Sequence, residues 1–154
     1  MKRLAPLALL LLSACAGTDA VSQVQPAGYL RDAAELVAAA DWSAPETLTV
    51  RIPGYRFTPD EMVFHRDRPT RLVLVNETER NHSFVAKAFF QGIAVKQLSG
   101  PGGTMDGPWV ERVLVPAGET KELWFVPARY GSYKFECDIT GHSALGMSGL
   151  IDVR

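Results

Sequence analysis

The run Gly131-Ser132-Tyr133-Lys134-Phe135-Glu136-Cys137-Asp138-Ile139-Thr140-Gly141-His142-Ser143-Ala144-Leu145-Gly146-Met147-Ser148-Gly149-Leu150-Ile151-Asp152-Val153 decides the architecture of this chain. Its first half alternates. Tyr133, Phe135 and Cys137 fall on one face of an extended segment, and Ser132, Lys134 and Glu136 fall on the other. The apolar face belongs inside, so Cys137 arrives at the core where its strand ends. A second strand-length run, 149–153, follows. Between the two strands lies a loop of small residues on which a thiol, an imidazole and a thioether recur at steps of five residues.

The same pattern extends outward from this hairpin. Strand-length apolar runs occur at 47–52, 61–65, 71–76, 83–88, 109–115, 120–126, 131–137 and 149–153. Pro53-Gly54, Pro59-Asp60, Asp67-Arg68-Pro69, Pro101-Gly102-Gly103 and Pro116-Ala117-Gly118 separate them. Thirteen glycines and ten prolines favour turns over a helical bundle. Strands at this spacing indicate an all-β, antiparallel sandwich or barrel filling residues 47–154. No repeat, glycine-rich phosphate loop or second domain interrupts it. A formal charge of -1 argues against a nucleic-acid partner, which would ask for a basic excess.

Ahead of this body, Asp32-Ala33-Ala34-Glu35 has the form of a capping box opening a helix that runs to about Ala40. Leu30, Leu36 and Val37 give it a modest apolar stripe, and Trp42 and Pro45 end it. Residues 29–46 are thus expected to form a short helical extension that packs on the domain as a strut. Residues 1–14 carry Lys2 and Arg3 and then an apolar stretch from Leu4 to Leu12, about half of the roughly 20 residues a membrane span needs. They read as an export signal. Leu12-Ser13-Ala14-Cys15 resembles the lipobox of bacterial lipoproteins, which implies cleavage before Cys15 and lipid attachment to its thiol. Residues 15–28 then form a tether with a typical reach of about 20 Å. The expected location is the periplasmic side of a membrane; Ala16, in place of an aspartate, favours the outer membrane.

There are two cysteines in the chain, too few for a disulfide framework. With Cys15 lipidated, Cys137 is left without a partner in an oxidising compartment. Three readings stand side by side: a buried thiol acting as a small hydrophobe, a Cys15–Cys137 disulfide, and a metal ligand. The neighbourhood supplies the third with company, because Asn81-His82-Ser83 opens another strand. One thiolate, two imidazoles and one thioether, from Cys137, His82, His142 and Met147, are a soft donor set that selects copper over magnesium, calcium or manganese. Two-histidine, one-cysteine ligation with a long axial methionine is the arrangement known for blue-copper electron-transfer centres. That identification is taken from the known class; the sequence contributes the match in residue type and order.

Residues Tyr130 to Cys137, the loop through His142 and Met147, and the closing strand Gly149-Leu150-Ile151-Asp152-Val153 resemble the carboxy-terminal end of cupredoxins. Phe57-Thr58-Pro59-Asp60-Glu61, Leu72-Val73-Leu74-Val75-Asn76 and Asn81-His82-Ser83-Phe84 are similar to that family's earlier strands. Four residues between Cys137 and His142 and four between His142 and Met147 are similar to the ligand loop of rusticyanin and sulfocyanin. The resemblance implies a Greek-key β-sandwich holding one copper that alternates between Cu(I) and Cu(II). It makes His82, Cys137 and His142 the equatorial ligands and Met147 the axial one. Asn81 and Ser83 would brace the site, and His142 would be the ligand edge nearest solvent. Asp138 after the cysteine and Thr140 in place of proline depart from the family pattern, and a carboxylate there should lower the reduction potential.

His65, at a strand end, and Met105, in a glycine-rich loop, are better read as a solvated histidine and an exposed methionine than as ligands. Glu77, Glu79 and Arg80 form a charged turn before His82. Four protein ligands leave no open position for a substrate, so no catalysis is expected. The expected function is electron carriage by a tethered monomer between redox partners such as a cytochrome or an oxidase. Two alternatives compete: copper buffering or delivery to an acceptor protein on the same fold, and a metal-free interaction module.

Overall fold

The computed structural model describes residues 25–154; the expected signal, Cys15 and the tether up to residue 24 lie outside them. Helix α1 (Ala33–Ala39) is followed by β1 (Glu46–Gly54), β2 (Arg56–Thr58), β3 (Glu61–Phe64), β4 (Thr70–Asn76) and β5 (His82–Phe84). A short helix α2 (Lys87–Phe90) leads to β6 (Ile93–Gly100), β7 (Gly103–Asp106), β8 (Val113–Val115), β9 (Thr120–Pro127), β10 (Gly131–Glu136) and β11 (Ser148–Val153). One sheet has the order β2-β1-β4-β9-β6-β7. Opposite it lie β10-β11-β3 and the pair β5-β8, which a Val85–Glu136 bridge joins to the end of β10. The result is a two-layer β-sandwich with a short helix before it.

Period-2 alternation builds the layers. In β4, Leu72 and Leu74 are fully buried while Arg71, Val73 and Val75 are half-buried; β1 buries Val50 and Ile52 likewise. Phe64, Phe84, Phe89, Phe90, Phe125 and Phe135 fill the space between the sheets. Each such side chain contributes about 1.5–3 kcal/mol relative to leaving it in water.

Four features differ from the sequence expectation. The run at 83–88 stops as a strand at Phe84 and turns into α2. Phe89 and Phe90 are consecutive and both fully buried; a strand would send one of them outward, whereas a helical turn buries both. The run at 109–115 is strand only at Val113–Val115, with Trp109 packed on the core instead. The sheet is mixed: β1 pairs with β4, and β11 with β3, in parallel. These partners are joined by long connections, which is what parallel pairing requires. Strands β2, β6 and β7 were not anticipated. In β6 a register shift between Val95 and Gln97 breaks the alternation by which strands are recognised.

The amino-terminal extension is built into the molecule. Leu30 and Ala33 are buried with Ala94 of β6 and Val126 of β9, and Leu36, Val37 and Trp42 pack around them. Asp32 occupies the N-cap position, but its side chain caps nothing, so the capping box is not formed. Packing of the apolar stripe, rather than capping, holds this short helix. Tyr29 goes further and enters the main core, where its hydroxyl donates to Val110 O at 3.0 Å.

Candidate metal centre

Strand β10 delivers Phe135 and Cys137 inward, as its alternation requires, and both are buried. The chain then turns through Gly141 and a 3-10 turn, Ser143–Leu145, which ends at Gly146 with φ 88°. That left-handed position suits glycine. Met147 N–H donates to His142 O at 3.2 Å, and Cys137 N–H donates to Met147 O at 3.0 Å. The loop is therefore tied shut at its base, with Cys137, His142 and Met147 held together by main-chain bonds. Strand β5 brings His82 and Ser83 alongside, and Ser83 N–H donates to Cys137 Sγ at 3.4 Å.

The ligand atoms offered by His82, Cys137 and His142 all lie within 4.8 Å of one another, and all three residues are buried. Metal–nitrogen and metal–sulfur bonds of about 2.0–2.3 Å fit donors this close. Cys137 Sγ is 3.4 Å from His142 Nδ1. His82 Nε2 is 3.0 Å from Thr78 Oγ1, and the Thr78 hydroxyl has Asn76 Oδ1 as its acceptor at 2.8 Å. Thr78 therefore accepts from His82 Nε2–H, which leaves the lone pair on Nδ1. That Nδ1 is the buried side-chain nitrogen or oxygen left without a hydrogen-bond partner among the described residues. An orphaned, lone-pair nitrogen facing a thiol and a second imidazole is what a metal would satisfy. Burial, then the neighbouring His142 and Arg80, hold His82 below the ordinary imidazole pKa, which keeps that lone pair free. With Met147 fully buried at the loop's end, His82, Cys137, His142 and Met147 make up the donor set typical of one type 1 copper.

Residues outside the ligand motif position the set. Asn76, 1% exposed at the end of β4, shares its two Nδ2 hydrogens among the carbonyls of Arg80, Val115 and Pro116 and accepts Thr78 N–H. It clamps the turn that carries Thr78 to strand β8. Tyr55, between β1 and β2, sets its ring edge-on to His142 at 4.8 Å between centroids and to His82 at 6.1 Å. Arg112 donates to Asp138 Oδ1 at 3.0 Å. Burial works to raise the Asp138 carboxyl, but the Ser83 hydroxyl and Arg112 outweigh it and hold it below the ordinary carboxylate value. Asn76, Thr78, Tyr55 and Arg112 were not picked out from the sequence. A strand-ending asparagine followed by Thr78 was the one available signal, since a buried asparagine there can bond its own turn.

The other candidates take these places. Asn81 accepts the N–H of Ala117, tying two loops rather than touching sulfur. His65 is exposed and pairs with Glu46 at 3.1 Å. Met105 is exposed on β7, opposite Leu98. Glu77 pairs with Arg51, and Glu79 and Arg80 line a small surface cavity together with Tyr55 and His82. Among the described residues Cys137 has no disulfide partner.

Solved structures share this architecture. Auracyanin A, a blue copper protein from Chloroflexus aurantiacus, matches with a TM-score of 0.52 at 19% identity, over 72% of this chain and 100% of its own. The fold is that of the cupredoxins. Auracyanin from Roseiflexus castenholzii matches at 0.51 and 19% identity, over 73% of this chain and 99% of its own. A multi-copper oxidase from Pseudomonas thermotolerans matches at 0.61 and 18% identity, but this chain spans only 31% of it. No family model and no curated protein sequence matches the chain. The cupredoxin fold accounts for the strand order and for the position of the donor loop at one end of the sandwich.

Proposed function

We propose that this protein is a membrane-tethered blue-copper electron carrier, with His82 Nδ1, Cys137 Sγ and His142 Nδ1 as equatorial ligands and Met147 as the axial one. The observation that carries this reading is the buried cluster of three donors in which His82 Nδ1 has no other partner. Bound copper supplies reversible one-electron chemistry between Cu(I) and Cu(II). The chain supplies a site whose donors are fixed before the metal arrives. Thr78 orients His82, the Cys137–Met147 backbone bond closes the loop, and burial excludes water, so little has to move when the charge changes. His142, 8% exposed, is the ligand nearest solvent, and Tyr55 lies across it with its own edge in water. The electron leaves through this end of the molecule to a redox partner such as a cytochrome or an oxidase.

Enclosure of all four donors favours a carrier over a copper donor, which has to open to release its ion. Export, lipid attachment at Cys15 and anchoring on the periplasmic side, in the outer membrane where there are two, complete the proposal. They rest on the residues of the signal alone.

Copper loading is the test. The protein should take up one copper and gain an intense thiolate-to-copper absorption that bleaches and returns on reduction and oxidation. Cys137→Ser should abolish that band. Met147→Leu should retain copper and raise its potential, because a weak donor to Cu(II) is lost. Tight Cu(I) retention with slow exchange and transfer to an acceptor would favour copper handling, and absence of any bound copper would refute both readings. Lipid labelling that depends on Cys15 tests the anchor separately.

A further inference from the structure

A single hydroxyl proton beside the thiolate has two acceptors within reach. Ser83 Oγ lies 3.4 Å from Cys137 Sγ and 2.6 Å from Asp138 Oδ1, and it accepts the Asp138 N–H at 3.0 Å. A serine hydroxyl has one proton and donates it once. The distance to the carboxylate is that of a charge-assisted O–H···O bond, the stronger kind, whereas the approach to sulfur is long. The proton therefore goes to Asp138. Arg112 Nε donates to the same oxygen, Oδ1, at 3.0 Å, which holds that oxygen beside Ser83 and balances its charge. The sulfur is left with the Ser83 backbone N–H and without the hydroxyl.

We propose that Arg112 and Asp138 form a positioning pair that holds the Ser83 hydroxyl off the Cys137 thiolate and thereby sets the potential of the copper; this rests on the copper-carrier reading of the site. A hydrogen bond to thiolate sulfur weakens its donation to Cu(II) and raises the potential. Here that bond is withheld. Ser83, expected from its sequence position to brace the sulfur, reaches it through its main chain while its side chain is committed elsewhere. Asp138 then acts on the site in two ways, by its partly balanced charge and by its claim on the serine proton. Only the second depends on Ser83.

That dependence gives the experiment. Midpoint potentials are measured on the copper-loaded full chain as wild type, Ser83→Ala, Asp138→Ala and the double variant. Resonance Raman spectra of the copper–thiolate stretch are taken in H2O and D2O. Ser83→Ala should leave the wild-type potential nearly unchanged. In the Asp138→Ala background, where the freed hydroxyl turns to sulfur, it should lower the potential, and the deuterium sensitivity of the stretch should rise in Asp138→Ala and fall back in the double variant to the wild-type level that the residue-83 backbone N–H sets. Equal downward shifts from Ser83→Ala in both backgrounds would overturn the proposal. Arg112→Gln, at a half-exposed side chain, removes the bond that holds Asp138 Oδ1 beside Ser83; the deuterium sensitivity of the stretch should rise toward that of Asp138→Ala, and Arg112→Lys should keep it at the wild-type level. An unchanged deuterium sensitivity in Arg112→Gln would remove Arg112 from the pair. A wild-type protein without a thiolate band would instead refute the copper reading beneath it.

Discussion

Cys137, His142 and Met147 were legible as donors because the chain itself places them at even steps after an alternating strand, and His82 because it opens a strand of its own. Asn76 was not, since its importance comes from carbonyls about 40 residues away that β8 brings to it. Its amide shares two hydrogens among three carbonyls, and its oxygen holds the residue, Thr78, that orients His82. Asn76→Ala takes a donor from the buried Val115 carbonyl, while the Arg80 and Pro116 carbonyls keep Thr78 Oγ1 and the Glu119 N–H; an unsatisfied buried group costs about 1–3 kcal/mol. The variant should lose about 2 kcal/mol or more of stability in urea unfolding of the copper-free protein, and it should bind copper more weakly. A loss below roughly 0.5 kcal/mol, the range of ordinary surface substitutions, would mean that water replaces the amide. Tyr55 was missed for a related reason: an aromatic residue after Pro53-Gly54 reads as a turn residue, and only folding sets it across two imidazoles.

Elements were read well where one face is wet and poorly where it is not. β10 and β11 alternate cleanly and were placed to within a residue or two, whereas the bulged β6 and the helical turn of α2 were missed. The β10–β11 pair also explains Gly149. It sits opposite Phe135, and a Cβ there would meet Asp60 O at 2.1 Å and the Phe135 ring at 2.4 Å. Gly149→Ala must push either β3 or a core aromatic aside. It should lower the melting temperature, with a cost of about 1–3 kcal/mol as for other overpacked sites. Across β4 and β9, Arg71 clamps Glu122, with Trp124 also donating to it. The hydrogen bond from Arg71, against some burial, holds the Glu122 carboxyl below its ordinary 4.5. A depressed carboxylate stabilises the fold above its unfolded pKa, and that contribution fades as pH falls through the folded one. Glu122→Gln should accordingly be less stable than wild type at neutral pH, and denaturant titrations should show the gap closing below pH 4.5. A gap that persists in acid would assign the effect to packing instead.

At the scale of the molecule, the amino-terminal extension and the sandwich share buried side chains. Tyr29 reaches the main core beside Trp109, at 6.4 Å between rings, and Lys96 lies over Trp42 and Trp124 where the helix meets the sheet. Tyr29→Ala should cost about 3 kcal/mol, as for other buried aromatics. It should leave the thiolate-to-copper band intact, because its hydroxyl bonds Val110 O and its ring lies beside Trp109, neither of them a donor residue; loss of the band would show that the extension shapes the centre. The sequence by itself determined the all-β class, the identity of the donors and their softness, because alternation, turn residues and ligand type are local properties of the chain. Tertiary structure alone decided the parallel pairings, the burial of Tyr29, the clamp at Asn76 and the direction of the Ser83 proton. Those depend on groups far apart in sequence meeting at hydrogen-bond distance, and a difference of less than 1 Å between two acceptors selects which one receives the proton.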